Sequence, residues 1–163
     1  MMKIITLLMV FTIIVSCSYS VHTNSYPHLD TISILPFENK TTEYELEEAL
    51  NNKLTELFED DGRLKITTAT SDCRLSGQIT DYSKKILTYS GSEVDEYTVK
   101  ILFKVNFDDL TSSKTVWNND SIVLSETFSA TNENIEFKTE EEAQEEIMNK
   151  LFDTIMKSSL EQW

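Results

Sequence analysis

Between residues 97 and 108, two kinds of side chain alternate without a break. Tyr97, Val99, Ile101, Phe103, Val105 and Phe107 occupy one register, and Thr98, Lys100, Leu102, Lys104, Asn106 and Asp108 the other. A two-residue period over that length is the mark of a strand with one face in a core and the other largely in water. Such a strand needs neighbours beside it and a second layer over its apolar face. Two stretches with helical spacing can supply that layer. In the first, Leu46, Ala49, Leu50, Leu54, Leu57 and Phe58 recur at intervals of three and four. In the second, Ala143, Ile147, Leu151, Phe152, Ile155 and Met156 form a similar stripe.

The first helix belongs to a strand-helix unit over residues 31–64. Ile32, Ile34 and Phe37 carry the strand, with Pro36 near its end, where a missing backbone donor is tolerated best. Thr42 and Glu45 have the spacing of a capping box at the helix start, and Gly62 is placed to close the helix in a left-handed turn. Thr139 and Glu142 repeat the capping-box spacing before the second helix. The acidic run 140–146 then puts negative charge in the first turn, where the helix dipole favours it, and along a solvated face.

Further segments complete a sheet. Cys73, Leu75, Gly77 and Ile79 alternate with Arg74, Ser76, Gln78 and Thr80, which turns the Cys73 thiol inward as a small core residue. Residues 83–96, with Ser90-Gly91-Ser92 among them, are long for a hairpin turn and read as an exposed, mobile loop. Residues 115–129 return as a strand through Val116, Trp117, Ile122, Leu124 and Phe128, with a bulge or wide turn near 118–120. The expected fold is α/β of the α+β type: a two-layer sandwich in which a small, mixed, mostly antiparallel sheet of about four strands carries two helices on one face. The other face, with Lys100 and Lys104, stays open.

Charge and composition narrow the function. Of 163 residues, 28 are acidic and 14 basic, a formal net charge of −14, which opposes nucleic acid as a partner. The three glycines are far apart, so no glycine-rich phosphate cradle is present. No nucleophile with its base, no paired catalytic acids and no metal cluster stand in motif spacing, so neither catalysis nor a cofactor is expected.

The N-terminus points to the cell envelope. A single Lys3 precedes an apolar run over residues 4–15, too short to span a bilayer and suited to a secretory signal. Ile14-Val15-Ser16-Cys17 resembles the bacterial lipobox. That makes 1–16 a lipoprotein signal peptide and Cys17 the acylated first residue, and it leaves Cys73 without a disulfide partner. The plainer alternative is an ordinary cleaved signal or an N-terminal anchor with Cys17 incidental. Ser18, in place of Asp, implies delivery to the outer membrane. Residues 17–30 then form the lipidated terminus and tether, with His22 and His28 solvated within it, and residues 31–163 form the domain.

Within that domain the residues resemble a family. Residues 32–41 (Ile-Ser-Ile-Leu-Pro-Phe-Glu-Asn-Lys-Thr), Leu46-Glu47, Asp61-Gly62-Arg63-Leu64, Asp72, Leu75-Ser76-Gly77-Gln78-Ile79, Tyr82, Tyr97, Trp117 and Trp163 follow in order the pattern of the LPS-assembly lipoprotein family LptE. The strand ending Pro36-Phe37-Glu38-Asn39 is also similar to curli-secretion lipoproteins and penicillin-binding-protein activators. The LptE resemblance implies a non-catalytic plug and assembly partner of the LptD β-barrel that contacts lipopolysaccharide on its way outward. It also implies basic residues against lipid A phosphates. Lys84 and Lys85, in the loop after Tyr82, and Lys100 and Lys104 on the open strand face are the compact candidates.

Overall fold

The computed structural model of the chain describes residues 26–161. The signal-like run, Cys17, His22 and Trp163 lie outside them. The elements are β1 (Thr31–Ile34), β2 (Glu38–Asn39), α1 (Leu46–Asp61), β3 (Lys65–Ile66), β4 (Cys73–Ser90), β5 (Glu93–Asp109), β6 (Lys114–Phe128) and α2 (Glu140–Ser159). They build one mixed sheet in the order β3-β1-β4-β5-β6, with β2 pairing β4 farther along. The short strands β1, β2 and β3 make parallel pairs, while β4, β5 and β6 form an antiparallel meander. The expected class therefore holds, with a 6-stranded sheet in place of about four strands. β2 is too short to leave a period in the sequence.

Both helices lie on one face. Leu46, Leu50, Leu54 and Phe58 of α1, with Ile147, Leu151 and Ile155 of α2, share one buried core with Cys73, Leu75, Ile79 and the inward residues of β5. Phe58 and Phe152 meet edge to face at 5.0 Å between ring centroids. Ala49, expected in the α1 stripe, is exposed at its margin. Gly77 of β4 leaves space for Phe37, whose Cε1 would collide with a Cβ there, and the Lys104 carbonyl oxygen would be 2.5 Å away. That close approach explains a glycine inside a strand. It lets the chain break after β1 at Pro36, turn Phe37 into the core and resume as β2.

The two helix starts differ. Thr139 Oγ1 accepts from the Glu142 N–H at 3.2 Å, and the Glu142 carboxylate accepts from the Thr139 N–H at 3.3 Å, a complete capping box. The box expected from Thr42 and Glu45 does not form. Glu45 itself is the N-cap, with φ 63° and no side-chain cap bond. Asn39 orders this connection instead: its Oδ1 accepts from the Thr41 N–H, and its Nδ2 donates to the Glu43 carbonyl and the Glu47 carboxylate. Gly62 ends α1 at φ 69°, its N–H reaching the Phe58 carbonyl.

Residues 83–96 are not a loop. β4 and β5 run on as a hairpin to a two-residue turn, with Ser90 opposite Glu93 and Gly91 at φ 67°. Ile86 faces Tyr97, Thr88 faces Glu96 and Tyr89 faces Val94. Leu87 and Asp95 are thus bulged on opposite strands, and together they erase the period that would have revealed the hairpin. Among the described residues, the outer edge of β4 has no paired strand beyond Ile79, where β2 ends. β6 is continuous through residues 118–120, where the expected irregularity is a bulge: Phe103 faces Ile122 and Val105 faces Asn119.

The first described residues are docked rather than tether-like. Leu29 is buried in the core, and His28, half exposed in keeping with the solvated position expected for it, places Nε2 2.8 Å from the buried Asp109 Oδ2. A partner 81 residues away leaves no local trace in sequence.

Candidate interaction face

Among the described residues nothing covers the sheet face opposite the helices, and the register decides which lysines stand on it. Up to Ile79 the odd-numbered residues of β4 point to the core. Ile79 pairs with Phe103 but Asp81 with Leu102, so Thr80 is an extra residue and the parity reverses. Tyr82 and Lys84 therefore face the helices, opposite the buried Ile101 and Val99. Asp81, Ser83 and Lys85 share the open face with Lys100, Leu102 and Lys104.

The four candidate lysines thus divide. Lys84 lies in strand, not loop, and its Nζ donates to the Glu140 carboxylate at 2.6 Å, at the first residue of α2. Tyr82 donates its hydroxyl to the same carboxylate and receives the Gln144 amide at 3.0 Å. Burial, added to by the bond to Glu140, pushes the Tyr82 phenol well above its ordinary range, and the Glu140 bond holds the Lys84 ammonium more firmly protonated. These contacts pin α2 to the sheet and leave Lys84 with a structural carboxylate partner.

Of the four candidates, Lys85, Lys100 and Lys104 stand on the open face. Lys100 stands opposite Ser83, and Lys85 opposite Thr98, which makes the two lysines diagonal neighbours across the β4–β5 ladder. Among the described residues neither has a carboxylate within ion-pair distance. Ser83 Oγ, between them, is shielded from solvent without a hydrogen-bond partner. It is a polar atom that sequence reading misses, because its placement depends on the bulge at Thr80. Lys104 is farther along and pairs with Asp120 at 2.8 Å. It lines a shallow groove of about 450 Å³ with Leu35, Gln78, Asn106, Asn118 and Asp120. The open face is therefore not uniformly basic: its cationic end is Lys85 and Lys100, and its lower end is a groove of amides with Glu38, Asp120 and the paired Lys104.

Above Lys84 the hairpin extends past the helices and exposes apolar side chains. Ile86, Leu87 and Tyr89 are 46%, 55% and 63% exposed. Tyr97 stacks on Phe128 at 5.2 Å where β6 ends, and the bulged Asp95 carbonyl accepts from Ser129 Oγ. The tip beyond them stands on the β4–β5 ladder alone.

The chemistry of Cys73 is limited by its surroundings. The free thiol is fully buried and donates to the Thr31 carbonyl at 3.3 Å. Burial, with Asp72 and Asp109 nearby, pushes it up to about 12. Among the described residues no group of three or more His, Cys, Asp or Glu could hold a metal ion, and no helix is long and apolar enough to cross a membrane.

Known proteins share this architecture. Protein XCC0632 from Xanthomonas campestris superposes with a TM-score of 0.57 at 10% identity, covering 85% of this chain and 93% of that one. Uncharacterized lipoprotein B from Nitrosomonas europaea gives 0.52 at 14% identity, covering 86% and 92%. The PelC dodecamer from Paraburkholderia phytofirmans gives 0.50 at 12% identity, covering 89% and 96%. Identities this low speak for the fold alone. No curated protein matches the sequence. A family model does: the one described as LptE, lipopolysaccharide-assembly, matches residues 29–158, from the docked Leu29 to the last turn of α2. On that match over most of its length, the chain belongs to the LptE family of lipopolysaccharide-assembly proteins.

Proposed function

We propose that this LptE-family protein is a non-catalytic outer-membrane lipoprotein, anchored through Cys17, that serves as plug and assembly partner of an LptD-type β-barrel and helps deliver lipopolysaccharide to the outer leaflet. The observation that carries the reading is the family match over residues 29–158. The form of the domain supports it. A plug needs a rigid body with surface to spare for the barrel wall, and among the described residues two helices cover one sheet face and nothing covers the other.

Lipopolysaccharide contact falls to the upper part of the open face. Lys85 and Lys100 stand there as diagonal neighbours, and a phosphate oxygen that draws their stems apart would meet the unpartnered Ser83 hydroxyl. Lys104 is the weaker member, since Asp120 already holds its ammonium. Lys84 acts through α2 and Glu140 rather than on the ligand.

Affinity capture of the tagged protein from detergent-solubilised outer membrane tests the partnership. A heat-modifiable β-barrel should co-purify in near-equal amount. Recovery of a penicillin-binding protein or a curli-secretion component without any such barrel would replace this reading with that of a regulator of another envelope machine. Uptake of a clickable fatty acid should be lost in Cys17→Ser; retained label would remove the anchor.

A further inference from the structure

The end of the sheet where the chain enters carries an arrangement that the plug role does not use. Two aspartates at the ends of neighbouring strands hold residues 28–31. Asp72, just before β4, accepts from the Asp30 N–H at 3.1 Å, the Thr31 N–H at 2.9 Å and the Thr31 hydroxyl at 2.7 Å. Asp109, the last residue of β5, lies opposite Cys73 and binds His28 Nε2 at 2.8 Å. The other bonds to Asp109 come from Thr111 and Ser112, and its side chain is only 4% exposed. Between the two clasps Leu29 is sunk in the core, and the Asp30 carbonyl accepts from the Lys65 N–H. Tyr26 packs its ring against the edge of the His28 ring.

We propose that residues 26–30 form a clasped strut that fixes where the N-terminal tether leaves the domain, and so turns the Asp109–Lys114 end of the sheet toward the bilayer. The inference rests on lipid at Cys17. With the strut docked, the chain between the lipid and the domain is residues 18–25, about eight residues, whose reach is at most roughly 27 Å. Were residues 26–30 free as well, the reach would be roughly 45 Å, nearly the length of the domain. The turn at Gly91 lies at the opposite end of β4, roughly 55 Å from Cys73 at the usual strand rise. A short connection leaving from one end of so long a body holds that end near the membrane and the hairpin tip away from it. A connection released as far as β1 would let the domain tumble.

Energy transfer from a protein-bound dye to headgroup-labelled acceptor lipid reads this directly. The full-length lipidated protein is placed on phosphatidylethanolamine/phosphatidylglycerol vesicles, with donor dye on Lys114→Cys in one sample and on Ser92→Cys in the other. Buried Cys73 does not compete for label. Transfer from position 114 should be at least about threefold more efficient than from position 92, given a roughly 50 Å difference in position along the strands. Equal transfer from the two positions, or the reverse order, would overturn the proposal.

Release of the strut in His28→Ala/Leu29→Ala should bring the two efficiencies together; a preserved difference would mean that the clasp does not set the orientation. Should that double variant fail to fold, hydrogen exchange in the unaltered protein decides. Slow exchange at the Asp30 and Thr31 amides supports the strut, and exchange at the rate of an unprotected peptide overturns it. Vesicle binding by Cys17→Ser as strong as that of the parent would instead sink the lipid reading, and the membrane-facing half of this inference with it, while the exchange pattern would still report on the clasp.

Discussion

The lower and upper halves of the β4–β5 hairpin are the same two strands in different company. From Cys73 to Lys84 the ladder is covered: Leu75, Ile79, Ile101, Phe103, Val105 and Phe107 lie under α1 and α2 and are almost fully buried. From there to Gly91 the ladder continues uncovered, and Ile86, Leu87 and Tyr89 reach into solvent. Residue type does not make the difference, since both halves carry branched and aromatic side chains. The boundary is where α2 begins, pinned at Glu140 by Tyr82 and Lys84. One half is built to be stable and the other to be presented.

The largest test of that division is a pair of truncations. Phe58→Ala removes a fully buried ring that meets Phe152 and should lower unfolding free energy in a urea titration by about 3–5 kcal/mol. Leu87→Ala on the presented half should change it by less than about 0.5 kcal/mol. Comparable losses would erase the distinction. Gly77→Ala comes next. The added Cβ would press on the Phe37 ring and on the Lys104 backbone, so a loss of about 1–3 kcal/mol is expected by the same titration.

Charge reversal sharpens the comparison on the ligand side. Lys85→Glu with Lys100→Glu should weaken capture of lipopolysaccharide by the purified protein about tenfold or more. Lys84→Glu should leave capture within about twofold and instead loosen α2, at a cost of about 1 kcal/mol from the lost part-exposed ion pair and the new repulsion from Glu140. A larger loss of capture from Lys84 than from Lys85 would put the ligand on the helix side.

Acid gives a smaller signal from the lower end. The hydrogen bonds from Thr111, His28 and Ser112 hold the Asp109 carboxyl far below the usual carboxylate range, and those from Thr31 and Asp30 lower Asp72. Groups depressed in the folded state contribute stability that is complete above their unfolded value, about 4, and is lost as pH falls through and below it. Asp109→Asn should therefore flatten the fall in stability between about pH 5 and 2. An unchanged acid limb would show that the entry clasp adds nothing to folding. The smallest expected effect is on Cys73: an alkylating reagent at about pH 8 should label it only after unfolding, because burial holds the thiol protonated.

Local chemistry makes much of the covered half legible. The alternation in β5, the apolar stripe and capping box of α2, the stop at Gly62 and the inward Cys73 are each encoded within a few neighbouring residues. What escapes depends on pairing between distant ones. The bulge at Thr80 reverses the direction of every β4 side chain from there to the next bulge, and so puts Lys85 rather than Lys84 on the open face. Those at Leu87 and Asp95 disguise a hairpin as a loop. His28 is half exposed, as its polar surroundings suggest, but its pairing with Asp109 appears only when the fold brings the end of β5 beside it. The failed box at Thr42 is a different case, because its spacing is correct but the Asn39 amide gains more bonds than a cap would supply. The candidate face is legible as an open surface; which lysines occupy it is set by register alone.

Among the described residues the outer margin of β4 has no strand beside it beyond Ile79, which has a consequence for supply. A row of main-chain donors and acceptors with no neighbour is a template on which a second copy can lay its own strand, and the apolar tip would add to the attraction. Lys84, Lys85 and the net charge of −14 oppose such stacking. Copies crowded together would thus be restrained from strand-to-strand stacking by this repulsion, and high salt should weaken the restraint.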